Sequence, residues 1–232
     1  MKSNLLFHII SLIFPARCPI CNKIVQRQSF LCPDCIRDVE RIADQCHGCG
    51  CSKKACLCGR NGFNLQLTAP FAYKGNIRSA IHRFKFRDER ELAQYFGEEI
   101  VKTVKRDFSQ VDFDLVTCVP QTKKRRRERG YNQSALLAKS IAASLNLKLE
   151  ENLLIKTRET ANQHELKGKS RLTNLKGAFS VSETAEIKGK IILLCDDIKT
   201  TGATLNECRK TLLKSGVKDV YCAAIAVVPD KI

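Results

Sequence analysis

Residues 190–205 read KIILLCDDIKTTGATL, and this stretch decides the fold. Ile191 to Cys195 is an unbroken apolar run. A strand that is apolar on both faces belongs in a parallel sheet covered by helices on both sides. Two carboxylates, Asp196 and Asp197, follow directly. Then come Thr200, Thr201, Gly202, Ala203 and Thr204, which lead into a helical pattern over Ala203–Lys214 that Ser215-Gly216 stops. In open α/β sheets ligands sit outside the carboxyl ends of the strands. The spacing therefore places the acidic pair and the Thr-rich turn where a ligand is expected.

The residue types define that ligand. The N–H groups at a helix N-terminus point at an anion, and Gly202 lets the backbone come close to it. Three Thr hydroxyls add donors without adding charge. Two adjacent carboxylates do not bind a phosphate directly, but they accept hydrogen bonds from the vicinal hydroxyls of a ribose and help hold Mg²⁺ through water. The segment thus pairs a sugar-diol acceptor with a phosphate cradle. A plain helix cap accounts for one Asp and one Thr and leaves the other Asp, the glycine and two Thr unexplained.

Outward from this unit the chain repeats strand–loop–helix. Phe63–Tyr73 reads as a strand region ended by the Lys74-Gly75-Asn76 turn. Ile77–Phe86 and Glu91–Val104 have helical spacing, the second with Leu92, Phe96, Ile100 and Val104 on one face. Asp114–Val119 is a buried-type strand stopped by Pro120, and a basic loop runs on to Gly130. Gln133–Leu145 is helical, Glu159–Lys176 is a polar loop, and Asp219–Val228 is a last, nearly all-apolar strand. The expected class is α/β with a parallel sheet.

The chain has 232 residues, enough for a sizeable core plus an appendage, and a formal net charge of +16. Even if eight cysteines bind two Zn²⁺ as thiolates, the charge stays near about +12, which favours anionic partners such as phosphates, nucleic acid or an acidic protein. Of 13 cysteines, nine fall between Cys18 and Cys58, and Cys118, Cys195, Cys208 and Cys222 stand singly in apolar segments. The apolar stretch Leu5–Phe14 is shorter than the roughly 20 residues of a membrane span and lacks a cleavage site; it reads as a short amphipathic helix on the body. A cytoplasmic, reducing setting is expected, where clustered cysteines mean metal.

Cys18-x2-Cys21 and Cys32-x2-Cys35 are ten residues apart. Two such hairpins can place four thiolates around one Zn²⁺ at about 2.3 Å each. A redox CxxC is the alternative, and a succession of two pairs argues against it. Cys46-x2-Cys49 draws its partners from Cys51, Cys56 and Cys58: Cys56 and Cys58 form a closely spaced pair, and Cys51 is either the spare or a replacement for one of them. Both sites are closed and hence structural.

LCDDIKTTGATL resembles the 5-phosphoribosyl 1-pyrophosphate motif of type I phosphoribosyltransferases. The chain as a whole is similar to the competence protein F family, in which a cysteine-rich zinc module precedes such a Rossmann-like domain. The resemblance runs from about Leu12 to the end. It is carried by FPARCPIC (14–21), LCPDC (31–35), IHRFKF (81–86), RERGYNQ (127–133) and NLKGAF (174–179). It implies a zinc-binding module over residues 1–62 and a phosphoribosyltransferase-like domain over 63–232. It also implies catalytic Asp196 and Asp197, and substrate contacts from Thr200 to Thr204. Val119–Lys124 becomes a pyrophosphate loop with Gln121, Lys124 and Arg125 beside it, although family members often carry proline where this chain has Cys118 and Lys123. Residues 159–176 become a mobile segment with Arg171 reaching the pyrophosphate. His164 reads as solvent-exposed, and His82 as structural or part of a hood over the acceptor. The implied cofactors are structural Zn and Mg. The implied role is DNA uptake in natural transformation, with single-stranded DNA and a helicase-like translocase as partners; the alternative is an active transferase of nucleotide or base metabolism with an unidentified acceptor. The lack of a glutaminase segment points away from a glutamine-dependent amidotransferase. The basic run Lys123–Arg129 can also be a solvated loop or a clamp for nucleic-acid backbone, but with only Tyr131 nearby it does not look like a base-stacking platform.

Overall fold

The structure is a computed structural model, and it describes residues 15–26, 30–56, 58, 64–122, 125–127, 130–158, 175–183 and 185–228. Eight strands and five α-helices concern the site: α1 (Pro33–Asp38), β1 (Leu67–Thr68), β2 (Phe71–Ala72), α2 (Gly75–Phe86), α3 (Leu92–Asp107), β3 (Leu115–Cys118), α4 (Gln133–Leu145), β4 (Lys148–Leu149), β5 (Leu154–Lys156), β6 (Phe179–Val181), β7 (Ile191–Lys199), α5 (Ala203–Lys214) and β8 (Asp219–Val227). Strands β1-β8-β7-β3-β4 lie side by side, β2 also pairs β8, and every pair in this sheet is parallel. The α/β parallel-sheet class expected from residues 190–205 is therefore the observed one.

Period-two alternation of side chains divides the core. Val116, Cys118, Leu193, Cys195, Ala223 and Ile225 face one cluster with α2, α3 and α4. Leu115, Ile192, Leu194, Cys222 and Ala224 face the other with α5, β5 and β6. The α3 stripe Leu92, Phe96, Ile100, Val104 is buried as its spacing requires. Helix α4 starts where the Asn132 side chain accepts from Ser134 N–H, and it ends at Asn146, whose φ of 54° is the left-handed conformation that Asn tolerates. Gly97 on α3 lies against Ser140 on α4: a Cβ there would stand 2.3 Å from the Ser140 Oγ and 2.7 Å from its Cβ. Gly97→Leu is expected to cost about 3 kcal/mol through overpacking, read as a lower denaturant midpoint.

The structure differs from the sequence reading in three places. The strand expected over Lys190–Cys195 runs on to Lys199, because the apolar end of β8 keeps pairing with it: Asp196 opposite Ala224, Ile198 opposite Ala226, Lys199 opposite Val227. The strand region Phe63–Tyr73 is two short strands separated by Ala69-Pro70. An antiparallel pair, β5 with β6, forms a small second sheet that the sequence did not announce. The loop expected over Glu159–Lys176 lies almost wholly outside the described residues, as does Leu5–Phe14. No helix among the described residues is long and apolar enough to cross a membrane.

The cysteine-rich region does not build a separate core. Cys18, Ile20, Cys32 and Cys35 join the cluster on one face of the sheet, and Ile42, Cys49, Cys51 and Leu65 join the other.

Candidate functional site

The carboxyl ends of β3 and β7 and the start of α5 open into one cavity of about 540 Å³. Asp196, Asp197, Thr200, Gly202, Ala203 and Thr204 line it, as do Gln121, Thr122 and Arg125 from the loop after β3. Thr201 lies between them in the chain, and its Oγ1 accepts from Ala203 N–H at 3.4 Å. Gly202 caps α5 with φ 81°, a left-handed conformation that glycine adopts without strain. Lys124, Arg171 and His164 lie outside the described residues.

The two carboxylates are held differently. Asp196 accepts from Ser134 Oγ at 2.9 Å and from the Asp197 N–H at 2.8 Å. Burial, reinforced by the neighbouring Asp197 charge, pushes its carboxyl up to about 7. Asp197 is ion-paired with Lys85 Nζ at 2.8 Å, and both side chains are largely shielded from water. Beside them Gln121 Nε2 donates to Gln133 Oε1 at 2.6 Å, while the Gln121 Oε1 is buried without a partner among the described residues. A buried acceptor left unpaired costs free energy and is normally satisfied by a ligand or water.

Arg78, His82 and Lys85 from α2, Lys156 from β5 and Arg125 also line the cavity. Cations outnumber the two carboxylates, so the cavity favours an anion that also offers hydroxyl donors. The sequence reading missed Lys85, Ser134, Arg78 and Lys156. A signal for two of them existed: Arg78, His82 and Lys85 fall at helical spacing on one face of α2. His82 is on the cavity wall, its ring 4.8 Å from that of Phe86.

The cysteines converge in two groups, Cys18, Cys21, Cys32, Cys35 and Cys46, Cys49, Cys56, Cys58, each with its four sulfurs within 4.8 Å of one another. A tetrahedron of sulfurs about 2.3 Å from a Zn²⁺ has edges of about 3.8 Å. The separations fit: 3.4 Å for Cys21–Cys32, 3.6 Å for Cys46–Cys58 and 3.8 Å for Cys49–Cys56. Burial pushes the Cys35 and Cys49 thiols up and Cys58 to about 12, whereas the Cys58 N–H donated to Cys56 Sγ lowers Cys56 to about 7. Thiols so crowded do not all ionise without a cation among them, and a divalent metal relieves that cost. Cys51 is not in the second group; its sulfur lies 3.5 Å from the buried Lys199 Nζ, at the end of β7. Burial pushes Cys118 and Cys222 up to about 12 and raises Cys195 and Cys208 well above the ordinary thiol range, so these thiols are packing groups.

The phosphoribosyl transferase domain family matches residues 132–232, and the double zinc ribbon domain family matches residues 9–61. Fold and cysteine clusters together thus define a phosphoribosyl transferase domain preceded by a double zinc ribbon. The DNA utilization protein YhgH of Escherichia coli strain K12 is 28% identical over 217 residues, covering 88% of each chain. Competence protein F of Haemophilus influenzae is 34% identical over 151 residues, 63% of this chain and 66% of the relative. Competence protein ComFC of Bacillus subtilis strain 168 is 28% identical over 199 residues, 86% and 72% respectively. Within its class the chain is similar to proteins named competence protein F, ComFC and DNA utilization protein YhgH.

Proposed function

We propose that the chain binds 5-phosphoribosyl 1-pyrophosphate with Mg²⁺ and serves DNA uptake in the cytoplasm. Residues 1–62 act in this reading as the zinc-binding module and 63–232 as the phosphoribosyltransferase-like domain. The observation that carries it is the meeting of Asp196 and Asp197 with the glycine-capped N-terminus of α5 in one cationic cavity. The 5-phosphate takes the N–H groups and hydroxyls of residues 200–204, and the ribose diol donates to the two carboxylates. The pyrophosphate lies toward Gln121 and Arg125; Lys124 and Arg171, expected to join them, lie outside the described residues.

The donor set fits Mg²⁺, which is commonly held by one or two carboxylates together with water and phosphate oxygens. Asp196 and Asp197 would hold the ion through its waters, and the bound ion would neutralise charge on the pyrophosphate. The chain's own residues orient the sugar and exclude water from its C1 carbon, and positioning and charge stabilisation account for much of any rate gain. Calorimetry with phosphoribosyl pyrophosphate and Mg²⁺ tests the reading: saturable binding to the native chain, lost in Asp196→Asn/Asp197→Asn, is expected, and no binding to the native chain overturns it. Gly202→Val forces a β-branched residue into a left-handed cap and is expected to weaken binding at least about tenfold, with about 1–3 kcal/mol of lost stability, measured in the same titration and by denaturant unfolding.

One observation favours a second reading, an active transferase with an unidentified acceptor. Tyr73, His82 and Phe86 also line the cavity, and in this reading they face an acceptor beside the sugar. Pyrophosphate release with candidate acceptors separates the two readings. The relatives' names, DNA utilization protein and competence protein, support a DNA role; single-stranded DNA and a helicase-like translocase are the partners this reading adds. Salt-dependent binding of single-stranded DNA that survives the double Asn substitution is its expected signature.

A further inference from the structure

Helix α2, GNIRSAIHRFKF over residues 75–86, spends each of its faces on a different neighbour. Ile77, Ala80, Ile81 and Phe84 enter the core. Asn76 and Arg83 are seven residues apart and so share a face. That face meets the first cysteine cluster: Asn76 Nδ2 lies 3.8 Å from Cys35 Sγ, and Arg83 donates to the Pro19 carbonyl at 2.7 Å and the Ile20 carbonyl at 3.0 Å. Pro19 and Ile20 are the two residues between Cys18 and Cys21, so Arg83 holds the turn of the first ribbon. Its Nε is bound to Glu89 at 2.8 Å, and its side chain is only 11% exposed. A planar guanidinium with three directed partners has little freedom to move. The remaining face carries Arg78, His82 and Lys85 into the cavity, where Lys85 pairs with Asp197.

We propose that Arg83 is a positioning residue for the cavity: by fixing α2 to the Cys18–Cys21 turn, it sets where Lys85 holds Asp197. The first zinc ribbon then acts on the site through one helix rather than by contact with the ligand. The consequence for ligand binding rests on the reading of the cavity as a phosphoribosyl pyrophosphate site.

Arg41 supplies the control. It also ties the cysteine-rich region to the body, through Glu99 on α3, but it does not line the cavity. The full chain loaded with zinc is compared with Arg83→Met, Arg83→Lys, Lys85→Met, Arg83→Met/Lys85→Met and Arg41→Met, each checked for two zinc ions per chain. Hydrogen exchange on the unliganded proteins is expected to quicken about tenfold at residues 81–86 and 196–201 in Arg83→Met, partly in Arg83→Lys, and not in Arg41→Met. Calorimetry with phosphoribosyl pyrophosphate and Mg²⁺ is expected to show about tenfold weaker binding for Arg83→Met, with no further loss when Lys85→Met already carries the defect. Unchanged exchange at these segments in Arg83→Met, or equal quickening in Arg41→Met, overturns the proposal. If Arg83→Met fails to fold, Arg83→Lys carries the same comparison. A native chain that does not bind the ligand sinks the functional reading alone, since the exchange comparison still decides the positioning role.

Discussion

Asp196→Asn is expected to stabilise the unliganded protein at pH 8 while weakening the phosphoribosyl pyrophosphate binding proposed for it. The Asp196 carboxyl is raised from an ordinary 3.8 to about 7 by burial and by Asp197 beside it. Below pH 3.8 both folded and unfolded chains carry the proton. Between 3.8 and about 7 the folded chain keeps it and the unfolded chain loses it, so stability falls as pH rises through that window. Above pH 7 the ionised carboxylate is a standing cost, and the neutral amide removes it while still accepting from Ser134. The gain is about 1–3 kcal/mol at pH 8, shrinking to nothing near pH 4, measured by denaturant unfolding at both values. The same substitution together with Asp197→Asn removes the two charge-assisted acceptors proposed for the ribose diol. At about 1.5–3 kcal/mol each, the expected loss of affinity exceeds about a hundredfold. A variant no more stable at pH 8 than the native chain contradicts this account of Asp196.

Removal of zinc is the second large effect. Structural zinc in small ribbons supplies about 10–16 kcal/mol of apparent binding energy. Here the cysteine-rich region shares its apolar residues with both faces of the sheet rather than owning a core. Without metal, crowded thiols in both clusters are left inside the protein, and the apolar residues packed with them in both core clusters lose that support. A net loss of about 5 kcal/mol lowers the melting temperature of a chain of this size by at least about 10 °C. Native protein is expected to hold two zinc ions, and Cys35→Ser or Cys49→Ser to hold one. A chelated protein with no metal and an unchanged melting curve contradicts a structural role.

The parts legible in the sequence were those fixed locally. The apolar run of β7, the Gly202 cap and the start of α5 follow from neighbours in the chain, and so do the paired cysteine spacings. Cys51 was ambiguous on spacing alone, and only the fold brings Lys199, 148 residues away, against its sulfur. Lys85 stood in a quoted motif, yet nothing local tells that its ammonium meets Asp197, because that contact depends on how α2 lies over the carboxyl end of the sheet. The β5–β6 pair escaped because its strands are three residues long, each with one polar residue, too short for a period to register. The stop of β7 was placed early because two Asp look like a strand end; the backbone pairing with β8 does not depend on those side chains.

The proposed function turns on where a sugar phosphate sits. A crystal structure of the zinc-loaded chain with phosphoribosyl pyrophosphate and Mg²⁺ tests it most directly. The 5-phosphate is expected within hydrogen-bonding distance of the N–H groups of residues 201–204, and the ribose hydroxyls on Asp196 and Asp197. A saturated complex with the ligand elsewhere, or with the phosphate away from the α5 N-terminus, contradicts it.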